Sequence, residues 1–255
     1  MGLSVWVVLP TFNEAENLRL MVESLLDLDL TRPAAEPAIS PADAMNAGSC
    51  TRVLIVDDNS PDGTGALADQ LGREHEGQVF ALHRPQKLGL GTAYLVGFRY
   101  ALDHGADVVI EMDADFSHSP GYLQDMVALL DEYDVVVGSR WVAGGKLDDN
   151  WERWRYLLSK YANVYARRVT GLHVRDTTAG FKAFRAKALR ELPLHRIRSD
   201  GYAFQIEVAT ACQRAGLRVT ELPIFFEERL RGRSKMSTRI IVEAMWRVWQ
   251  IRFRR

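Results

Sequence analysis

The 255 residues hold only two cysteines, Cys50 and Cys212, and they form no CxxC pair. Thiols this sparse and far apart exclude a disulfide framework and a zinc site, and fit a reducing compartment. The six histidines are scattered and lack metal-ligand spacing. No apolar run approaches the roughly 18 residues needed to span a bilayer. The N-terminus enters strand-like sequence directly, so no signal peptide is expected. A formal net charge of -1 leaves no global nucleic-acid footprint. Internal repeats are absent.

The chain is 47% hydrophobic, enough to bury a full core. Ser4–Leu9 is a continuous apolar run ending at Pro10, the pattern of a buried parallel strand. Glu14–Leu26 places Leu18, Met21, Val22 and Leu25 at helical spacing. Strands are expected at Val53–Val56, Val79–Leu82, Asp107–Met112 and Val135–Val137. Helices are expected at Gly65–His75, Thr92–Leu102 and Tyr122–Leu130. This alternation predicts an α/β fold with a doubly wound, mostly parallel sheet. Ligands in such sheets bind beyond the carboxyl ends of the strands, and polar motifs follow Leu9, Val56 and Met112.

Later the alternation loosens: helices at Glu152–Val169 and Phe204–Ala215, a strand at Phe181–Phe184, and an extended stretch at Arg218–Phe226. The 31–50 segment, rich in Pro, Ala and Asp, reads as a surface insertion. The organisation expected is one catalytic domain over 1–237 and a basic amphipathic helix over 238–255. Between Arg229 and Arg255, nine basic residues (229, 231, 233, 235, 239, 247, 252, 254 and 255) face one acid, Glu243. That asymmetry suggests an anionic partner at this end.

Asp113-Ala114-Asp115 lies just past a strand. Carboxylates at i and i+2 can share a pocket there, and magnesium or manganese takes one or two carboxylates plus substrate phosphates. The plainer alternative is a pair of solvated loop acids. Asp57-Asp58-Asn59-Ser60 also ends a strand, where an Asp can bind a base or ribose; Ser60-Pro61-Asp62-Gly63 is turn chemistry in its own right. Asn13 is placed to cap the first helix, and Glu14 suits its first turn. Lys87-Leu-Gly-Leu-Gly91 has a GxG but no third glycine and follows the third strand, which argues against a dinucleotide site. Arg140, Arg155 with Ser159, Arg229 and Lys235 offer phosphate-binding chemistry; their plain alternative is a solvated basic surface, the reading taken for Arg167, Arg168 and Arg190.

Together these segments resemble the inverting glycosyltransferases of family 2, and within them the dolichyl-phosphate (polyprenyl-phosphate) mannose synthases. The resemblance rests on PTFNEAENL at 10–18, VDDNSPDGT at 56–64, KLGLGTAYLVGF at 87–98, MDADFSHSP at 112–120, GSRW at 138–141, Asn150-Trp151 with Arg155 and LLSK at 157–160, DTTAGFKAF at 176–184, and ERLRGRSK at 228–235. It covers nearly the whole chain in order. It implies a glycosyltransferase A-type fold and a Mg2+ or Mn2+ cofactor. It also implies transfer of mannose, with inversion, from GDP-mannose to a polyprenyl or dolichyl phosphate. Pro10, Phe12, Glu14, Val56 and Asp58 would line the nucleotide pocket. Asp113 and Ala114 would sit near the ribose and diphosphate, with Asp115 as main metal ligand. Ser117 stands where some relatives carry a glutamine ligand. Arg140, Arg155 and Ser159 would hold the acceptor phosphate. Arg229 and Lys235 would contact the donor diphosphate.

Many relatives carry transmembrane helices after this domain, and this chain has none by Arg255. It would reach its lipid as a peripheral protein on the cytoplasmic side, through the membrane surface or a small transmembrane partner. Ile241, Ala244, Met245 and Val248 form an apolar stripe in Thr238–Arg255 flanked by Trp246 and Trp249. Such a helix can lie in the headgroup plane or pack on the catalytic domain. Competing readings are the same fold with UDP-glucose or another nucleotide sugar, a hydroxyl acceptor, and a non-catalytic nucleotide-sugar-binding subunit.

Overall fold

The computed structural model describes residues 3–30, 50–227 and 238–254. The 31–49 part of the insertion, Arg229 and Lys235 lie outside these residues, as do the side chains of 238–244. Nine strands and eight helices are described: β1 (Ser4–Thr11), α1 (Ala15–Leu26), β2 (Cys50–Asp57), α2 (Thr64–Glu74), β3 (Val79–His83), α3 (Leu90–Asp103), β4 (Val108–Glu111), α4 (Leu123–Leu129), β5 (Val135–Ser139), β6 (Lys146–Leu147), α5 (Arg153–Thr170), β7 (Lys182–Arg185), α6 (Ala186–Glu191), α7 (Gly201–Arg214), β8 (Val219–Pro223), β9 (Phe225–Phe226) and α8 (Thr238–Phe253).

Seven strands form one sheet in the order β3-β2-β1-β4-β7-β5-β8, and β6 with β9 forms a small second one. β1 pairs in parallel with β2 and β4, β2 with β3, and β5 with β8. β7 is antiparallel to both its neighbours. The sheet is therefore mostly parallel, as expected, with one reversed strand that the apolar pattern alone could not orient.

Each central strand buries both faces. In β1, Val5, Val7 and Leu9 join Leu18, Met21 and Val22 of α1. Trp6 and Val8 point the other way, to Tyr94, Phe98 and Ala101 of α3. That is why a helix-covered parallel strand reads as an unbroken apolar run.

Asn13 does not cap α1. Its φ is +63°, and the N-cap position is Glu14, which makes no side-chain cap. The opening N–H groups of the helix find partners in the next loop instead: Glu14 N–H donates to Thr64 Oγ1 and Ala15 N–H to Asp62 Oδ2. The turn Ser60–Gly63 thus closes its own loop and satisfies α1 across the sheet edge.

α8 is not a separate unit. Val248 and Ile251 are buried with Ala166, Leu172, Ile206 and Ala209 of the catalytic body. Met245, expected in the same apolar stripe as Val248, is exposed. The helical register carries it toward solvent, on the side of Trp246 and Trp249.

Candidate active site

Among the described residues, three non-glycine residues have left-handed backbone: Asn13, Asn59 and Phe116. They follow the carboxyl ends of β1, β2 and β4, which are adjacent in the sheet. Left-handed backbone at non-glycine positions clusters at functional sites, so all three mark one sheet edge.

At the first edge group, Phe12 lies under the Lys87 ammonium, 3.9 Å from its ring centroid. Pro10 pairs with Val56 across β1 and β2. Val56 itself is fully buried, its side chain in the core with Tyr94 and Phe98. The strand turns this side chain toward α3. Asp58 is buried and paired with Arg84, at 2.6 Å from Nε to Oδ1. Burial pushes Asp58 upward against the Arg84 charge. Arg84 also donates to Thr92 Oγ1 and to the Gly89 carbonyl. Gly89 and Gly91 admit neighbours that no side chain would allow: added Cβ atoms would stand 2.4 Å from the Asp200 carboxylate and 2.7 Å from the Ser199 carbonyl oxygen. Asp200 accepts from Gly91 N–H at 2.8 Å. The glycines therefore serve close packing of the 198–200 turn.

The second group is the loop after β4. Asp113 accepts from the Tyr94 hydroxyl at 3.1 Å. Burial, reinforced by Asp113, raises the Tyr94 phenol well above its ordinary range, so it stays a donor. Asp115 is buried and accepts from both the backbone N–H and the hydroxyl of Ser117. Ser117 thus orients Asp115. Ala114 is buried between the two carboxylates. His118 is buried, stacked 5.0 Å from Phe181, and burial lowers its pKa to about 4, leaving a neutral imidazole.

Among the described residues no group of three or more His, Cys, Asp or Glu side chains could hold a metal alone. The two aspartates fit a hard divalent ion that completes its shell with phosphate oxygens and water.

The third group lies between β5 and α5. Arg140 is buried, and its guanidinium forks onto Asp176 with two bonds of 2.7 Å. Arg140 N–H also donates to Asp176, and Nη2 to Thr178 Oγ1. Burial opposes ionisation of Asp176, but the Arg140 charge and hydrogen bonds outweigh it and hold the carboxyl below its usual range. Asp176 thus takes the bidentate Nε/Nη2 face of the Arg140 guanidinium. Arg155 lies over the Trp151 ring at 4.7 Å. The Ser159 carbonyl accepts from Asn163, whose amide also accepts from the Thr177 N–H and hydroxyl. The 176–178 segment thus brackets Arg140 to α5. Beside it a groove of about 680 Å³ is lined by Arg140, Trp141, Leu147, Trp151, Tyr156 and Leu157, among others.

Sequence reasoning missed Arg84, Tyr94, His118, Asp176, Lys182 and Asp200. Lys182 is fully buried in β7 and donates to Glu111 Oε1 at 2.7 Å and to the Gln205 side chain. A lysine inside the apolar 181–184 strand was the one signal for it.

A mostly parallel sheet with one reversed strand, covered by helices on both faces, is the architecture of the glycosyltransferase A-type fold. A sequence profile described as glycosyl transferase family 2 matches residues 6–193. The chain belongs to that family and is a glycosyltransferase. It is 42% identical over 251 residues to the polyprenol monophosphomannose synthase of Mycolicibacterium smegmatis, covering 97% of this chain and 87% of the relative. It is also 42% identical over 241 residues to the undecaprenyl-phosphate mannosyltransferase of Micrococcus luteus, covering 94% and 90%. Among solved structures, mannosyl-3-phosphoglycerate synthase from Rubrobacter xylanophilus shares the fold at TM-score 0.63 and 18% identity, over 99% of this chain and 73% of that one. Glucosyl-3-phosphoglycerate synthase from Mycobacterium tuberculosis, in complex with Mn2+, UDP and glucosyl-3-phosphoglycerate, does so at 0.63 and 17%, over 98% and 78%.

Proposed function

We propose that this chain transfers mannose from GDP-mannose to a polyprenyl phosphate of the dolichyl or undecaprenyl type, with inversion. The observation that carries it is the identity of 42% to two relatives, each over more than nine-tenths of this chain, whose names state mannosyl chemistry on polyprenol-type lipids.

The nucleophile is a phosphate oxygen of the acceptor, already anionic near neutral pH, so no general base is needed. It forms a bond to the anomeric carbon as the bond to the GDP oxygen breaks on the opposite face. An α-linked donor then gives a β-linked lipid phosphomannose. The chain's work is positioning and charge stabilisation. Asp58 and the 12–14 segment bind the nucleoside end, and Arg140 with Arg155 faces the acceptor phosphate. A Cβ at Gly180, just beyond the 176–178 segment that holds Arg140, would stand 3.7 Å from Asp113 Oδ2, which supports an acceptor wall next to the aspartate loop. Asp113 and Asp115 would hold Mg2+ or Mn2+, which supplies positive charge to the departing diphosphate. Arg229 and Lys235 would add to it.

The acceptor is reached at the cytoplasmic face of a membrane. No described helix is long and apolar enough to cross one. Exposed Trp246, Trp249 and Phe253 on α8, with Trp154 and Tyr161 on α5, support contact with a membrane surface or a small transmembrane partner.

A panel of GDP-mannose, UDP-glucose and other donors with a short-chain polyprenyl phosphate tests this, read by product mass. Manganese-dependent formation of the phosphomannose is expected. Glucose transfer, or product formed equally in EDTA, overturns it.

A further inference from the structure

The ring of Phe226 touches three parts of the site that have no other described aromatic contact in common. Arg140 places its guanidinium carbon 5.1 Å from the ring centroid. Trp151 meets the ring edge-on at 5.6 Å, and Arg155 lies over the far ring of that pair. His118, from the aspartate loop, meets it edge-on at 5.1 Å. The two arginines read as acceptor ligands are thus joined by an aromatic bridge, Arg155–Trp151–Phe226–Arg140.

Three bonds hold the short segment that carries this ring. Phe225 N–H donates to the Tyr122 hydroxyl at 2.9 Å, Asp148 N–H to the Phe226 carbonyl at 3.0 Å, and Glu227 N–H to the Ser117 carbonyl at 3.3 Å. The last of these ties the segment to the residue that orients Asp115. β9 is only two residues long and buries little, so this much anchoring exceeds what a passing connection needs. Arginine side chains are long and lose rotamer freedom when held, and an aromatic face holds a guanidinium by its quadrupole while leaving edge donors available. Arg140 already spends its fork on Asp176; the ring fixes the orientation of what remains.

We infer that Phe226 is a positioning residue for the anionic acceptor: its ring sets Arg140 and Arg155 on one wall and registers that wall against the aspartate loop. This rests on the acceptor reading of the two arginines given above.

Phe226→Leu keeps apolar volume in β9 and removes the aromatic face, and Phe226→Tyr keeps the face. Initial rates would be measured against a short-chain polyprenyl phosphate and against donor separately, with GDP binding by calorimetry in manganese. Phe226→Leu is expected to raise the acceptor KM roughly tenfold, with GDP affinity within about twofold of the parent; Phe226→Tyr stays near the parent. Phe226→Leu added to Arg155→Ala should worsen the acceptor KM by less than it does alone, because the bridge is already broken. A leucine variant no different from the tyrosine variant overturns the inference, as does a parallel loss of GDP binding. If Arg155→Ala leaves the acceptor KM unchanged, the acceptor reading falls and the bridge falls with it. If Arg155→Ala raises it and Phe226→Leu does not, only the bridge falls.

Discussion

Arg140 and Asp176 form a buried fork-on-fork pair, with Nε to Oδ2 and Nη2 to Oδ1 each at 2.7 Å. The pair stands where β5 ends and the 176–178 segment crosses it, so it joins the sheet to the wall that carries α5. Buried pairs of this kind add little over an apolar substitute, but removing one partner strands the other charge.

Asp176→Asn should therefore destabilise by about 3–5 kcal/mol, seen as a fall in denaturant midpoint at unchanged slope. The pH dependence follows from the sign of the shift. The folded carboxyl is held below its unfolded value, so its contribution is present above the unfolded pKa and is lost as pH falls through the folded one. The parent should lose stability on acidification below about pH 4, and the variant should lose less over the same window. Parallel melting curves for the two proteins down to pH 3 would refute this.

Lys182 and Glu111 form another buried pair, on the β4 and β7 strands beside the aspartate loop. Burial raises the Glu111 carboxyl, and the Lys182 charge pulls it back. Lys182→Met should cost about 3–5 kcal/mol by leaving Glu111 unpaired. Adding Glu111→Gln should recover a good part of that loss, since both charges are then gone. A double variant as unstable as the sum of the singles would show that the pair is not coupled.

Asp115 is buried and accepts two hydrogen bonds from Ser117, unlike the solvated loop acid of the plainer alternative. Asp115→Ala therefore carries a stability cost of about 1–3 kcal/mol, from Ser117 donors left unpaired. Asp115→Asn keeps the volume and one acceptor and should cost less. Both should abolish manganese-dependent turnover while the protein still melts cooperatively. Appreciable turnover in Asp115→Asn would remove this residue from the metal site.

The parallel half of the fold was legible because its strands bury both faces. Ser4–Leu9 could be nothing but a central strand, and the helices between strands repeat at 3.6. The reversed β7 was not legible in orientation, because a short run such as Phe181–Phe184 carries no mark of strand direction. β6 and β9 are two residues each, too short to show a period. Asp58 and the Asp113–Asp115 pair were singled out as candidates by their place after strands. Asp176 and Lys182 were not, because their partners lie 36 and 71 residues away and only the sheet order brings them together. At Val56, strand alternation turns the side chain to the core with Tyr94 and Phe98.

The exposed aromatic residues lead to the last prediction. Trp246, Trp249 and Phe253 lie at i, i+3 and i+7 of α8 and are 66%, 45% and 74% exposed. Trp154, Leu157 and Tyr161 repeat that spacing on α5 and are exposed too. The two helices touch: the Tyr165 hydroxyl donates to the Met245 carbonyl at 3.1 Å. Their sequences carry Arg153, Arg155, Lys160, Arg167, Arg168, Arg239, Arg247 and Arg252 against Glu243 alone. Aromatic side chains at this exposure are out of place in water, and basic residues near an anionic leaflet contribute about 1 kcal/mol each. The protein should float with vesicles containing an anionic lipid at low salt, bind weakly to zwitterionic ones, and release as salt rises. Trp246→Ser with Trp249→Ser should reduce flotation while leaving turnover on a short-chain soluble acceptor intact, because both side chains are on the exposed side of α8. Val248→Ser is the control for the buried side of the same helix: it should lower the melting temperature instead. A parent protein that stays unbound on anionic vesicles at low salt rules out direct docking and leaves a transmembrane partner as the route to the lipid.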